Sequence, residues 1–307
     1  MRRLILGACG FIGGNLSRTI ANRYPKDQLR IFDRKIPDSI RQKIKSIESE
    51  TIEGDFNRDY DFDSLVSGCE EVYHLISTTV PSSDILLEDE ITQNVFPTLA
   101  LLDACVRHRV KKVIFISSGG TVYGKSEGLP FKETDENEPI CSYGIQKLTI
   151  EKYLYLYKHL YQLDYRIIRL SNPYGPGQNP FGNVGAVTAF TKRIIDDEII
   201  TLYGDGENVR DYIYIDDAIE GILNIASSVD ESNIYNLGSG IGYSLNEVIS
   251  IIEEITHRRA RIHMEPFRSR DLKYSVLNIT KYTDKFPEHK MISLKKGISK
   301  LIEYWEK

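Results

Sequence analysis

Long hydrophobic runs, paired cysteines and clustered metal ligands are all missing from this sequence. No uninterrupted apolar stretch approaches the roughly 20 residues a helix needs to cross a bilayer. The four cysteines, Cys9, Cys69, Cys105 and Cys141, lie far apart and form no C-x-x-C pair. That excludes a disulfide scaffold and points to ordinary thiols in a reducing compartment. The six histidines are scattered, so no metal-ligand cluster is expected. Internal repeats and low-complexity linkers are absent too. There is no basic excess: 39 Lys and Arg stand against 44 Asp and Glu, a net charge of -5, and no polyanion-binding surface follows. The apolar run after Arg2-Arg3 is too short for a secretory leader, and a glycine turn consumes it, so a cytoplasmic protein is expected. What remains is 307 residues with 41% hydrophobic content, enough for one large domain or two smaller ones.

The most informative stretch is Arg3-Leu4-Ile5-Leu6-Gly7-Ala8-Cys9-Gly10-Phe11-Ile12-Gly13-Gly14. A short apolar strand runs into G-x-x-G-x-x-G, and Ile12, Leu16 and Ile20 then share one face of a helix. Glycine takes positive φ cheaply and lets a pyrophosphate approach bare backbone. The helix start adds free N–H groups and the positive end of its dipole. Asp33 ends a second strand, twenty residues past Gly13, where a dinucleotide fold places an acid for the ribose hydroxyls. The alternative is a glycine turn without a ligand. Position, flanking elements and Asp33 together favour the dinucleotide.

The first half alternates strand and helix patterns, which argues a parallel, doubly wound sheet. Strands are expected at 3–6, 29–33, 50–53, 71–76, 112–117 and 165–169, and helices at 12–23, 38–47, 62–67, 88–108 and 143–162. Ligands then bind in the loops beyond the strand ends. Asp55 and Phe56 follow the third strand and suit an adenine, although Gly-Asp is also a common turn. On residue type alone, Asn94 reads as a cap or solvent residue. The strand at 112–117 opens into Ser117-Ser118-Gly119-Gly120-Thr121-Val122-Tyr123-Gly124, and Tyr143-Gly144-Ile145-Gln146-Lys147 follows. Tyrosine and lysine four apart share a helix face. A phenol titrates near about pH 10, and a neighbouring ammonium, with the charge of an oxidised nicotinamide, is expected to lower that. Among 19 tyrosines a surface Tyr/Lys pair is the bland alternative. Its place after a serine-rich strand end singles this one out.

The glycine turn, the 117–124 segment, Tyr143/Lys147 and Arg210-Asp211-Tyr212 together resemble the extended short-chain dehydrogenase/reductase family. Within it, the chain resembles the nucleotide-sugar epimerase and dehydratase group, and most of all the UDP-hexose 4-epimerases. The resemblance spans nearly the full chain. It implies a Rossmann-type NAD domain over 1–170 that also receives 211–236, and a smaller α/β sugar-nucleotide domain over 171–307. It implies that the C4 hydride passes to NAD while tyrosine takes the hydroxyl proton, after which the 4-keto sugar rotates and is reduced on its other face. Cofactor contacts implied are Gly7, Gly10, Phe11, Ile12, Gly13, Asp33, Asp55, Phe56, Ser77, Asn94, Ser117, Tyr143, Lys147, Pro173 and Tyr174. Substrate contacts implied are Ser118, Tyr143, Asn172, the Asn183-Val184 backbone, Tyr203 against the nucleobase, Arg210 and Arg268 on the diphosphate, and Asp271 on the ribose. Tyr153, Leu154, Tyr157 and Tyr161 continue the tyrosine helix, either as core or as half of the helix pair through which the family forms homodimers.

Four positions depart from the family pattern. Gly119 stands where a Ser or Thr usually bridges sugar and tyrosine, leaving Ser118 and Thr121 as candidate hydroxyls. Gly120 and Thr121 replace the Asp-Glu pair of the 4,6-dehydratases, and Thr121 replaces the glutamate of the UDP-glucuronate decarboxylases. Ser275 stands where epimerases restricted to unacetylated sugars carry tyrosine, so room for a 2-acetamido group is expected. Asp33 favours NAD over NADP, with Arg34 and Lys35 following it. The reading is an NAD-dependent UDP-hexose 4-epimerase supplying surface-polysaccharide precursors. Its rival is an NAD(P)H-dependent 4-keto-6-deoxyhexose reductase acting on a dTDP- or GDP-sugar. A binding protein without turnover would have no need of Tyr143 and Lys147.

Overall fold

A computed structural model describes residues 1–79, 87–182, 184–229, 233–267 and 272–306. Three of the residues singled out above, Asn183, Arg268 and Asp271, lie outside the described residues. By contact the chain divides into two units. Unit 1 is Met1–Ser117, Cys141–Ile168 and Ile225–Ile234; unit 2 is Ser118–Ile140, Arg169–Asn224 and Tyr235–Lys307.

The strands are β1 (Arg2–Leu6), β2 (Gln28–Asp33), β3 (Glu48–Glu53), β4 (Glu71–His74), β5 (Lys112–Ser118), β6 (Asp164–Leu170), β7 (Asn172–Tyr174), β8 (Ile199–Tyr203), β9 (Val209–Tyr214), β10 (Ile234–Leu237), β11 (Gly242–Ser244), β12 (Arg261–Glu265) and β13 (Tyr274–Ser275). A seven-stranded sheet has the order β10-β6-β5-β4-β1-β2-β3. Pairing is parallel, with Leu6 opposite both Phe32 and His74, and Tyr73 opposite Ile114. Leu4, Ile5 and Leu6 are fully buried, as expected for a strand covered on both faces. Strand order reverses between β1 and β4. This is the topological switch point, beside which doubly wound sheets bind their ligands. The doubly wound Rossmann-type architecture read from the sequence is therefore the fold.

Helices α1 (Phe11–Arg23), α2 (Asp38–Lys43), α3 (Phe62–Val66), α4 (Leu87–Glu90), α5 (Phe96–Arg107) and α6 (Ser142–Tyr161) belong to unit 1. Leu101 and Leu102 of α5 and Ile150 and Leu154 of α6 pack with Leu4, Leu6, Val72, Val113 and Phe115 in one core. The helix expected at 38–47 stops at Lys43. Ile40, Ile44 and Ile47 are still buried, the last two held by a turn instead. The helix expected at 88–108 is interrupted by a π-helical turn over Ile91–Val95. The wider turn shifts the helical phase, so residues before and after it face differently from a straight helix. None of the helices among the described residues is long and apolar enough to cross a membrane.

Unit 2 holds a small sheet of order β11-β9-β13, with β7 also on β9, and the parallel pair β12-β8. Helices α7 (Ala186–Ile195), α8 (Ile215–Ser227, its last residues in unit 1), α9 (Leu245–Thr256), α10 (Thr280–Lys285) and α11 (Leu294–Trp305) complete the chain. The hub of this sheet is Asp211 on β9, which is fully buried. Its carboxylate accepts from Ser239 N and Oγ, both at 2.8 Å, from Gly240 N at 3.2 Å and from Leu277 N at 3.4 Å. Burial pushes the carboxyl pKa up, and these four donors work against that. Asp211→Asn turns one acceptor into a donor facing N–H groups, and is expected to cost about 2–3 kcal/mol. Urea unfolding checks this; an unchanged midpoint would remove Asp211 from its role as hub.

Candidate active site

The turn after β1 is built for bare backbone. Gly7 takes φ +83°, and a Cβ added at Gly13 would lie 2.0 Å from Gly7 O, so the start of α1 rests directly on the turn. The N-cap of α1 is Gly10, with no side-chain cap and no acid in the first turn. Its N–H groups are thus offered to an anion, and the cradle fits a dinucleotide pyrophosphate. Asp33 Oδ2 accepts from Cys9 N at 2.8 Å and Oδ1 from Arg34 N at 2.8 Å. Asp33 therefore shapes the turn itself, and each oxygen keeps a second lone pair for a ribose hydroxyl. Asp55 is exposed and pairs with Arg34 Nε at 3.2 Å. The Phe56 ring lies edge-on to Phe62, centroids 5.5 Å apart, and 5.2 Å from His74.

On the other side of the switch point, the π-turn corrects the reading of Asn94. The residue is 4% exposed, neither a cap nor a solvent residue. Its Oδ1 accepts from Thr78 N at 2.9 Å, and its Nδ2 donates to Thr78 Oγ1 at 2.8 Å and to Glu90 O at 3.1 Å. Asn94 thus pins the loop leaving β4. Gln146 Nε2 pins it again, donating to Thr79 Oγ1 at 2.7 Å. Ser77 donates to Thr79 O at 3.0 Å and is hydrogen-bonded to the Tyr143 side chain. Thr98 spends its proton on Asn94 O at 2.6 Å, so His74 Nε2 must be the donor in its 2.8 Å bond to Thr98 Oγ1. Burial, then the charge of Lys147, pushes His74 down to about 3, and its ring stays neutral. Gln146, Thr98 and His74 carry no sequence motif and were not singled out.

Tyr143, Lys147 and Glu151 follow one another at helical spacing on α6. Lys147 is 4% exposed. Its Nζ donates to Ile116 O at 2.9 Å, lies 4.8 Å from the Phe115 ring centroid and 5.7 Å from that of Tyr143. Burial lowers its pKa to about 8, with Glu151 acting upward. Burial, then the Cys141 thiol, raises Tyr143 to about 12, with the Ser77 hydrogen bond acting downward. The expected lowering of the phenol by Lys147 is thus absent from the chain alone, because desolvation outweighs a cation 5.7 Å from the ring. Ser117 is 4% exposed and its hydroxyl donates to Glu151 Oε1.

In unit 2, Ser118 ends β5 and is half-buried. A Cβ at Gly119 would lie 2.5 Å from Leu277 Cδ1 and 3.0 Å from Arg169 O, so a side chain here requires Leu277 to shift and crowds a backbone carbonyl. Thr121 Oγ1 is buried and has no partner among the described residues. Ser275, 3% exposed, pairs in register with Arg210, and its Oγ lies 4.0 Å from a Cβ built at Gly120. Arg210 Nη1 donates to Val209 O at 2.9 Å. Asn172 Nδ2 donates to Asp211 O at 2.8 Å, and Pro173 beside it is half-buried. Tyr174 corrects another expectation. Its ring is 1% exposed and its hydroxyl donates to Leu294 O at 3.3 Å, so the ring packs against α11 instead of offering a face to a nicotinamide. Val184 is exposed just before α7, and half-buried Tyr203 closes β8.

Comparisons with known proteins agree with this construction. The family described as NAD dependent epimerase/dehydratase matches residues 3–238. A UDP-glucose 4-epimerase of Mycolicibacterium smegmatis is 29% identical over 311 residues, covering 99% of this chain and 98% of that protein. A dTDP-4-dehydro-6-deoxyglucose reductase of Escherichia coli is 31% identical over 313 residues, covering 98% and 96%. The solved UDP-glucose 4-epimerase of Thermotoga maritima, with UDP-glucose, has a TM-score of 0.91 at 29% identity and covers 100% of this chain and 99% of its own. The chain belongs to the NAD dependent epimerase/dehydratase family of extended short-chain dehydrogenase/reductases.

Proposed function

We propose that the chain is a nucleotide-sugar 4-epimerase acting on a UDP-hexose, with UDP-Glc/UDP-Gal and UDP-GlcNAc/UDP-GalNAc as substrates. The observation that carries the proposal is half-buried Tyr143 one helical turn from buried Lys147 on α6, in a chain whose glycine turn fits NAD. When bound, NAD takes and returns the C4 hydride. Tyr143 takes and returns the proton of the sugar O4 hydroxyl. With a phenol pKa of about 12 in the chain alone, Lys147 included, that transfer needs further positive charge beside the lysine, which an oxidised nicotinamide provides. Gly120 and Thr121 offer no acid and base for eliminating water, which sets the chain apart from a dehydratase. Of the two candidate hydroxyls, Ser118 is accessible while Thr121 Oγ1 is buried, so Ser118 is assigned the bridging role. Arg210, Arg268 and Asp271 are assigned to the nucleotide, Asn172, Asn183, Val184 and Tyr203 to the remaining contacts, and Ser275 to the 2-position of the sugar.

Residues 1–170 with 211–236 are assigned to NAD and 171–307 to the sugar nucleotide. We assign a cytoplasmic homodimer. Leu154 and Tyr157 of α6 are core, whereas Tyr155, Leu160 and Tyr161 are 67%, 55% and 53% exposed and suit a helix-pair interface. The second reading, a 4-keto-6-deoxyhexose reductase, is favoured by the 31% identity to the Escherichia coli reductase and by the closed Gly119.

Four outcomes are expected. Protein purified without added cofactor releases NAD on denaturation and inverts C4 of UDP-Glc and UDP-GlcNAc, followed by NMR. Turnover of a 4-keto-6-deoxy sugar at the cost of external NAD(P)H, without inversion, would establish the reductase instead. Tyr143→Phe lowers kcat by about 10²–10⁴. Ser275→Tyr abolishes inversion of UDP-GlcNAc and spares UDP-Glc; equal loss of both would remove Ser275 from the sugar site. Gly119→Ser destabilises the fold by about 1–3 kcal/mol without gaining activity, and G119S/L277A recovers the stability. A G119S protein as stable as the parent would show that Leu277 does not close this position.

A further inference from the structure

The line Tyr143, Lys147, Glu151 has a third member to which the reaction assigns nothing. Glu151 is 2% exposed, one helical turn beyond a lysine that is 4% exposed. A buried ammonium and a buried carboxylate are each costly alone, and four residues apart on α6 these two share one helix face. Two successive residues of β5 meet two successive turns of α6: Lys147 Nζ donates to Ile116 O at 2.9 Å, and the Ser117 hydroxyl donates to Glu151 Oε1. That second bond orients the carboxylate. Among the described residues, the other groups facing Lys147 supply no negative charge. His74 on β4 is neutral, Tyr143 on α6 keeps its proton, and β5 contributes a carbonyl and the Phe115 ring.

Resting on the Tyr143/Lys147 reading above, we propose that Glu151 is a positioning residue of this site, oriented by Ser117, whose carboxylate keeps the buried Lys147 charged. Desolvation holds Lys147 at about 8 with Glu151 acting upward. Without the carboxylate the lysine loses its proton in the neutral range, and the phenol loses the cation it needs.

The test follows the 13Cε signal of Lys147 through a pH titration of the full chain, with Lys147→Arg identifying the signal. The parent midpoint is expected near 8. Glu151→Gln keeps shape and removes charge, and is expected to lower the midpoint by about one unit. Glu151→Asp keeps the charge one methylene further away and lowers it by less. In the UDP-Glc assay, kcat of E151Q then falls about five-fold at about pH 8 and stays within about two-fold of the parent at about pH 6. An unmoved midpoint, or a loss equal at every pH, overturns the proposal. Should E151Q fail to fold, an unmoved midpoint in E151D does the same. The titration needs no turnover. A shifted midpoint in an inactive parent sinks the epimerase reading and keeps Glu151; an unshifted one in an active parent sinks Glu151 alone.

Discussion

Desolvation of the seam between α6 and β5 is the constraint on which the site depends. It holds Lys147 near 8, pushes Tyr143 to about 12 and His74 to about 3. These three shifts point the same way chemically: each group is driven toward its neutral form. A proton-transfer tyrosine is useful only if something reverses that drive when substrate and cofactor bind. In the chain alone Lys147, its Nζ 5.7 Å from the Tyr143 ring centroid, does not reverse it, and the nearest histidine is kept neutral by burial with its proton on Nε2 toward Thr98. The seam is dry enough to make one added positive charge count, because Coulomb energies grow as the effective dielectric falls.

That seam is set by the sheet. Because β1 and β4 are neighbours while β2 and β3 lie beyond β1, the turns leaving β1 and β4 open beside each other at the switch point. Gly7 N still donates to Phe32 O at 2.9 Å and Leu75 N to Leu6 O at 3.1 Å, so both turns begin as continuations of the ladder and inherit its rigidity. Asn94 and Gln146 then fasten the β4 turn from α5's π-turn and from α6. Positioning thus comes from regular elements, and few loop residues have to hold themselves.

What was legible in the sequence was local. The glycine spacing, Asp33 and the Tyr143/Lys147 pair are each defined by residues a few positions apart, or one strand apart, where backbone geometry fixes the relation. The alternation of strand and helix gave the parallel sheet for the same reason. The inward position of Asn94 comes from a π-turn, which no residue pattern announced. For Ser117 and Tyr174, a motif places a residue without saying which way its side chain turns. Ser117 turns to Glu151, 34 positions away, and Tyr174 to Leu294, 120 away. Contacts at such separations are products of the fold.

The departure at Gly119 shows the same limit from the other side. Read as a missing hydroxyl, it weakens the epimerase reading. Read as space, it has a cause: Leu277 Cδ1 and Arg169 O occupy the volume a side chain would need. Leu277 is held there by a backbone N–H bound to Asp211, the acid of the Arg210-Asp211-Tyr212 motif. The motif acid therefore serves the architecture around position 119. A hydroxyl restored at 119 would strain that architecture instead of repairing a defect. The neighbouring Ser118 is half-buried.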